Sequence, residues 1–166
     1  MSGRIGTRTL PVASALALLV SGLGAALAGA PAAAVSADVV ISEVYGGGGN
    51  SGATFTHDYI ELYNRGTTPV DISTWSVQYG SSAGTTWLRT NLSGTIQPGR
   101  WYLVQEAAGA NPGTPLPTPD ATGTTAMSAT NAKVALVKSL TAYTVSCPAG
   151  VELADFVGYG TANCSE

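Results

Sequence analysis

The chain has 166 residues, of which 45% are hydrophobic and only 10% are charged, and its formal net charge is −3. This length suits a single domain with a core of useful size. The excess of carboxylates repels phosphate backbones, and no basic cluster interrupts it. These features argue against nucleic-acid binding through counterion release.

The first 37 residues have the pattern of a secretory signal peptide. Two arginines precede an uncharged apolar stretch over 10–27, and small residues follow it. In this order the cations stay on the cytoplasmic side, the apolar stretch enters the export machinery, and small side chains fit the signal peptidase. We predict cleavage between Ala37 and Asp38, with cleavage after Ala34 as the second choice. A retained membrane anchor is the less favoured alternative.

Removal of residues 1–37 leaves a more acidic mature chain over 38–166, with five cationic residues, ten carboxylate residues and a net formal charge of −5. This part holds both cysteines, Cys147 and Cys164. We expect them to form a disulfide, because an oxidising compartment outside the cytoplasm favours pairing. Nothing after residue 37 is long and apolar enough to span a bilayer.

The mature sequence alternates short runs of β-forming residues with turn residues. Strands are predicted over 38–45, 58–63, 70–79, 85–90, 92–96, 100–106, 133–137 and 151–159. The stretch 46–52 is expected to be a flexible connection, Pro98-Gly99 a tight turn, and the proline-rich stretch 109–125 a long surface loop. No run predicts a long helix. This spacing predicts an all-β, antiparallel β-sandwich with the three tryptophans in its core.

Two features invite catalytic or phosphate-binding interpretations that the surrounding sequence does not support. His57, the single histidine, precedes Asp58, which could orient an imidazole acting as general base. No nucleophile motif such as G-x-S-x-G accompanies this pair. The four glycines at 46–49 lack the Gly-Lys-Ser/Thr that a phosphate-binding loop requires. We therefore predict no catalytic residue in this chain.

Three carboxylates near the glycine-rich stretch form a candidate calcium site. Glu43 and Glu61 fall in successive strands that can pair, and Asp58 lies three residues before Glu61. Carboxylates and backbone carbonyls bind Ca²⁺ weakly in many extracellular modules, although the D-x-D-x-D-G spacing is absent. The favoured alternative is that these are exposed strand carboxylates, which limit aggregation through sheet edges.

Aromatic residues form a second candidate binding feature, since an aromatic strip on a solvent face can stack on sugars or bind a partner protein. The candidates for this strip are Tyr45, Tyr59, Tyr63, Tyr79, Trp87 and Trp101. A role in the core is the favoured alternative, because sandwich cores depend on such side chains.

Five stretches of the sequence together carry a family resemblance. They are VVISEVYGGGGNSGATFTHDYIELYNRG, VDISTWSVQYGSSAGTTW, LSGTIQPGRWYLVQEA, MSATNAKVALV and DFVGYG. In combination, over about residues 38–160, they resemble the bacterial lamin-tail domain. The resemblance implies an immunoglobulin-like β-sandwich without a catalytic motif. With its long glycine-rich loop, the sequence is most similar to the N-terminal module of secreted actinobacterial endonuclease/exonuclease/phosphatase-type enzymes.

The resemblance transfers core positions only, and no functional residue. The matching positions are Ile41, Ile60, Leu62, Trp75, Val77, Leu103, Val104 and Val134. In bacteria such domains are commonly accessory modules of secreted or surface proteins, and the resemblance implies a linker and often another domain after residue 166.

Three functional hypotheses follow from these observations. The favoured one is a secreted, non-enzymatic module that binds or positions a partner domain, the cell surface or an extracellular polymer. In the second, the chain is the N-terminal accessory part of a secreted, metal-dependent nuclease or phosphatase. The third is a calcium-stabilised adhesion module. Calcium, in that third case, is the only cofactor that the sequence suggests.

Overall fold

The computed structural model of the chain describes residue 36 and residues 38–166, so the predicted signal peptide, apart from Ser36, lies outside the described residues. The described part is built from ten strands. These are β1 (Val39–Tyr45), β2 (His57–Asn64), β3 (Val70–Asp71), β4 (Ser76–Ser81), β5 (Trp87–Asn91), β6 (Thr95–Ile96), β7 (Trp101–Ala108), β8 (Ala121–Thr122), β9 (Ala132–Val137) and β10 (Leu153–Tyr159). No helix long and apolar enough to cross a membrane occurs within residues 36 and 38–166.

The strands form two four-stranded sheets and one small pair. The first sheet has the order β1-β2-β7-β8, the second has the order β10-β9-β4-β5, and β3 pairs with β6. This arrangement confirms the predicted immunoglobulin-like β-sandwich. The antiparallel prediction fails at β8, which runs parallel to β7. The long proline-rich loop after β7 makes this possible, because parallel neighbours need a long connection.

Two predicted strands are shorter or divided in the structure. The run 70–79 splits into β3 and β4, because Trp75 N–H donates to the Ile72 carbonyl in an intervening turn. The run 92–96 keeps only Thr95–Ile96, since Gly94 turns the chain with a φ of 82°. The other predicted strands are present, with ends that differ by at most two residues.

The main core lies between the two sheets, and most of the predicted core positions belong to it. Ile60, Leu62 and Val104 face Val77 and Val134 across the sandwich, and Trp75 is also buried. Ile41 is half-buried and packs against this core.

Two core predictions fail on β7. Leu103 is half-buried on the outer face of the first sheet, and Trp101 is 59% exposed. Successive strand residues point to opposite faces. Tyr102 and Val104, which alternate with Trp101 and Leu103, therefore point into the core.

The outer face of the second sheet is covered by the segment 138–152, which connects β9 to β10. Beneath it, Trp87 and Phe156 form a second apolar cluster that Tyr143 joins. The Trp87 indole N–H donates to the Val145 carbonyl at 2.8 Å. The fully buried Gln78 accepts the Tyr143 N–H at 2.9 Å and donates its amide to the Thr141 carbonyl at 2.9 Å. The covering segment is therefore fixed by polar groups of the sheet itself.

Lys133 on β9 is the strongest of these anchors. Its side chain is fully buried, and Nζ donates to the Gly84 carbonyl at 3.1 Å, the Ser146 carbonyl at 2.7 Å and Asn163 Oδ1 at 2.9 Å. Nζ also lies 5.4 Å from the centroid of the Trp87 ring. Desolvation lowers the pKa of this amine. The buried ammonium group is tolerated because oxygen acceptors surround it.

The predicted disulfide joins Cys147 to Cys164, with 5.9 Å between their Cα atoms. The residues that precede these cysteines, Ser146 and Asn163, are two of the three partners of the Lys133 ammonium group. The covalent bridge and the buried lysine therefore hold the same two segments together.

Replacement of both bridged cysteines by serine should lower the free energy of unfolding by about 3 kcal/mol, because the bridge closes a loop of 17 residues in the unfolded chain. Urea denaturation followed by circular dichroism measures this loss. The wild-type protein treated with dithiothreitol is the matched control and should lose a similar amount. An unchanged denaturation midpoint in both samples would contradict the stabilising role of the bridge.

Glu106 on β7 is a buried carboxyl group that links β5 and the loop after β8 to the first sheet. Its side chain is 2% exposed, and its oxygens accept the Thr90 hydroxyl at 2.5 Å and the Thr125 N–H at 2.9 Å. Burial raises the pKa of Glu106 above its ordinary value of 4.5, against the opposing effect of these hydrogen bonds. The folded protein therefore binds this proton more tightly than the unfolded chain does.

This raised pKa predicts a definite pH dependence of stability. The contribution of Glu106 is fully present below pH 4.5 and is lost as the pH rises through the folded-state pKa. Glu106→Gln keeps an acceptor but cannot ionise, so the wild type should lose stability relative to this variant as the pH rises above 4.5. Urea titrations across this range measure the difference.

Asp71→Asn is the control with the opposite sign. Hydrogen bonds from the Ser73 hydroxyl and N–H lower the pKa of Asp71, so its contribution is lost as the pH falls. A wild-type protein that gains stability over Glu106→Gln as the pH rises would contradict the assignment.

Candidate functional site

The glycine-rich connection between β1 and β2 is packed, which corrects the expectation of a flexible loop. Asp58, 3% exposed, accepts the Gly48 N–H and the Met127 N–H, each at 2.6 Å. A Cβ atom at Gly48 would collide with the backbone of His57, and one at Gly49 would collide with Gly109. Glycine is needed here because two backbone segments approach each other closely.

His57 and Asp58 do not form the pair that a general-base interpretation requires. The His57 ring nitrogen Nδ1 lies 2.8 Å from Thr56 Oγ1. Both carboxylate oxygens of Asp58 accept backbone N–H groups, one in the glycine-rich connection and one at Met127. Asp58 therefore fixes loops and does not orient the imidazole.

The three calcium candidates are divided between the two faces of the first sheet. Glu43 and Glu61 are directly opposed partners of β1 and β2. Glu43 accepts the Tyr59 hydroxyl at 2.6 Å, and Glu61 accepts the Ser42 hydroxyl at 2.7 Å. Asp58 lies an odd number of residues from Glu61 and points to the opposite face. Across residues 36 and 38–166, no group of three or more His, Cys, Asp or Glu side chains is placed to hold a metal ion.

Calcium binding by these carboxylates is a hypothesis that thermal unfolding can test. A ligand that binds only the folded state raises the melting midpoint. Because Asp58 already accepts two N–H groups on the inner face, we expect the same midpoint in millimolar CaCl₂ and in EDTA, with MgCl₂ as the control for ionic strength. A midpoint raised by Ca²⁺ and not by Mg²⁺ would instead place calcium at the Glu43–Glu61 pair.

The predicted aromatic strip divides into a buried and an outward-facing part. Trp87 belongs to the cluster under segment 138–152, and Tyr79 packs against the main core while its hydroxyl accepts the Ser128 N–H at 3.0 Å. The outward-facing members lie on the outer face of the first sheet. They are Tyr45, Tyr59, Tyr63 and Trp101.

One end of this outer face is covered by the loop before β2. Tyr45 stacks on Tyr59 with ring centroids 5.1 Å apart and an interplanar angle of 8°. Phe55 meets both rings edge to face, at 5.5 and 5.7 Å. Tyr59 is only 8% exposed as a result, and burial together with its hydrogen bond to Glu43 raises the pKa of its hydroxyl.

The other end of the outer face is open. Tyr63 and Trp101 are directly opposed residues of β2 and β7, and their ring centroids lie 4.8 Å apart at an interplanar angle of 40°. Tyr63 is half-buried, whereas Trp101 is 59% exposed. The pair presents a large aromatic surface to solvent from a rigid sheet.

A cleft of about 430 Å³ adjoins Trp101 at the start of β7. Its lining includes Trp101 and five exposed residues with polar side chains, which are Ser93, Thr95, Gln97, Arg100 and Asp120. Asp120 is held in place because its Oδ2 accepts the Leu103 N–H at 2.8 Å. We call this feature the Trp101 cleft.

Asn64 fixes the turn that carries one side of the Trp101 cleft. Its fully buried side-chain amide donates to the Thr68 carbonyl at 2.9 Å and the Ile96 carbonyl at 2.8 Å. Its backbone accepts the Gly99 N–H at 2.8 Å and donates to the Arg100 carbonyl at 3.0 Å. Gly99 has a φ of 68°, which is what a tight turn with proline before glycine requires. The predicted Pro98-Gly99 turn is therefore confirmed.

The model of the lamin tail domain family matches residues 32–161. The chain belongs to the lamin tail domain family. This membership agrees with the immunoglobulin-like sandwich described above. No curated protein matches the chain.

Most of the polar lining of the Trp101 cleft in this lamin tail domain was not among the residues singled out from the sequence. Ser93, Gln97, Arg100 and Asp120 come from three separate stretches, and only the folded sheet brings them together. A usable signal does exist in the strand RWYLVQE. Once Val104 is assigned to the core, alternation puts Trp101 on the solvent side.

Proposed function

We propose that this lamin tail domain is a secreted, non-enzymatic module that binds an extracellular partner through the open end of its first sheet. The observation that carries the proposal is the exposure of Trp101. Among residues 36 and 38–166 it is the only aromatic side chain that is largely exposed to solvent, and it lies beside the Trp101 cleft. Exposed aromatic residues on rigid elements are common anchors in binding surfaces.

The non-enzymatic part of the proposal is supported by the uses of the titratable groups. Asp58 and Glu106 accept backbone and hydroxyl donors inside the sandwich, and the Lys133 ammonium group is enclosed by oxygen acceptors. Export is supported by the signal-peptide pattern of residues 1–37 and by the Cys147–Cys164 disulfide, since such bonds persist in oxidising compartments.

A second arrangement of the same function follows from the similarity to N-terminal modules of secreted endonuclease/exonuclease/phosphatase-type enzymes. The feature on which this similarity rests is the glycine-rich connection at 46–52. In this arrangement a metal-dependent catalytic domain elsewhere in the protein performs the reaction, and the lamin tail domain positions it on a surface or polymer.

Retention on cell-envelope material tests the proposal. The protein is expressed in a secreting actinobacterial host, recovered from the medium and incubated with isolated envelope. Trp101→Ala should weaken retention by about tenfold, because loss of an anchoring tryptophan removes much of the binding energy of an interface. Val151→Ala is the matched control, since Val151 is 93% exposed and lies away from the Trp101 cleft.

Two results would contradict the proposal. Equal retention of the wild type and Trp101→Ala would remove the open aromatic end as the binding surface. Recovery of the protein only from the cytoplasm would contradict export.

A further inference from the structure

We infer that the Trp101 cleft binds the sugar rings of a polysaccharide, an inference that rests on the proposed function and names the ligand class of its site. The structure juxtaposes three features that sugar recognition uses: an exposed indole, a polar cleft that adjoins it, and a backbone that holds both in place. Each of these features has a counterpart in the chemistry of a pyranose chain.

The indole of Trp101 supplies the apolar part of recognition. A pyranose ring carries C–H groups on its faces and hydroxyl groups around its rim. The faces of an aromatic ring are electron-rich, so they attract the slightly positive C–H groups. Tyr63 packs against Trp101 at 4.8 Å between ring centroids and restricts its motion. Little side-chain entropy is then lost when a sugar stacks on the exposed indole.

The polar lining of the Trp101 cleft matches the rim of such a ring. A sugar hydroxyl is both a donor and an acceptor, and its site needs both kinds of group. Arg100 supplies donors in a planar fork, and Asp120 supplies acceptors. The Gln97 amide and the hydroxyls of Ser93 and Thr95 each supply both a donor and an acceptor. These groups reach the same cleft from the β5–β6 loop, β6, the Pro98-Gly99 turn and the segment before β8.

The charges of the Trp101 cleft favour a sugar chain over the other extracellular ligands. Arg100 and Asp120 carry opposite charges, so the cleft has no excess charge to attract a polyanion, and the mature chain, with its net charge of −5, repels one. An apolar peptide side chain would desolvate Gln97, Arg100 and Asp120 without offering them hydrogen bonds. A polyhydroxylated ligand satisfies the same groups.

The Trp101 cleft is also built before any ligand arrives. Asn64 fixes the Pro98-Gly99 turn through hydrogen bonds to Ile96, Gly99 and Arg100, and Asp120 is fixed by the Leu103 N–H. Its volume of about 430 Å³ falls within the usual range of small-molecule sites, about 300–1,000 Å³. The cleft can therefore hold a sugar unit while its neighbour in the chain stacks on Trp101.

Binding calorimetry with defined oligosaccharides tests the inference. The probes are cellohexaose, chitohexaose and xylohexaose, whose flat, equatorially substituted rings suit an exposed indole. At least one should bind saturably. Trp101→Ala should weaken that binding by about tenfold or more, and Trp101→Phe should weaken it less, because a smaller ring remains. Gln97→Ala should weaken binding without changing the melting midpoint, and Val151→Ala should bind as the wild type does.

The outcomes separate this inference from the proposed function. If no hexaose binds and Trp101→Ala still reduces envelope retention, the sugar assignment is wrong and the binding module stands. If a hexaose binds the wild type and Trp101→Ala equally, the ligand site is not the Trp101 cleft. If neither the hexaoses nor the envelope distinguish Trp101→Ala from the wild type, both the inference and the proposed function fail. Melting curves show that each variant is folded.

Discussion

The organisation of the domain depends on the burial of the Lys133 ammonium group. A cation in a protein interior is costly unless its donors are satisfied, and Lys133 satisfies them with oxygens of Gly84, Ser146 and Asn163. These three residues belong to segments far apart in sequence, so one side chain closes the outer face of the second sheet. The first sheet has no comparable anchor on its outer face among the described residues. Its Trp101 end is left open, and this asymmetry is the reason why we propose that end as the binding surface.

Elsewhere in the sandwich, other buried polar side chains also hold neighbouring segments in place through hydrogen bonds. Asp58, Glu106 and Asn64 each bind backbone groups of neighbouring loops, and Gln78 binds the segment over the second sheet. Loops that are fixed in this way lose little entropy when a ligand binds. Part of the rigidity of the Trp101 cleft therefore originates in Asn64, which does not line it.

The sequence predicts the sandwich well and the surface poorly, and β7 explains the difference. Its strand RWYLVQE contains large apolar residues on both faces. Trp101 was predicted to lie in the core with the other tryptophans, and the family resemblance implied the same for Leu103. Because side chains alternate along a strand, a core position for Val104 puts Trp101 and Leu103 on the outer face. This correction requires that Val104 is first known to lie in the core. The glycine-rich connection was predicted to be flexible, and the structure shows that it is packed. Glycines predict flexibility in isolation, and the close approach of His57 and Gly109 becomes visible only in three dimensions.

The two ends of the described domain attach to the same strand. Ser36 N–H donates to the Ala154 carbonyl, and Glu166 N–H donates to the Phe156 carbonyl, two positions further along β10. A tensile load applied at Ser36 and Glu166 would meet the sandwich at two adjacent points, so hydrogen bonds would break one after another instead of shearing together. The Cys147–Cys164 bridge would then carry the load into the segment over the second sheet. Under such a load the domain would yield strand by strand, and the bridge would protect only the 17-residue loop that it closes.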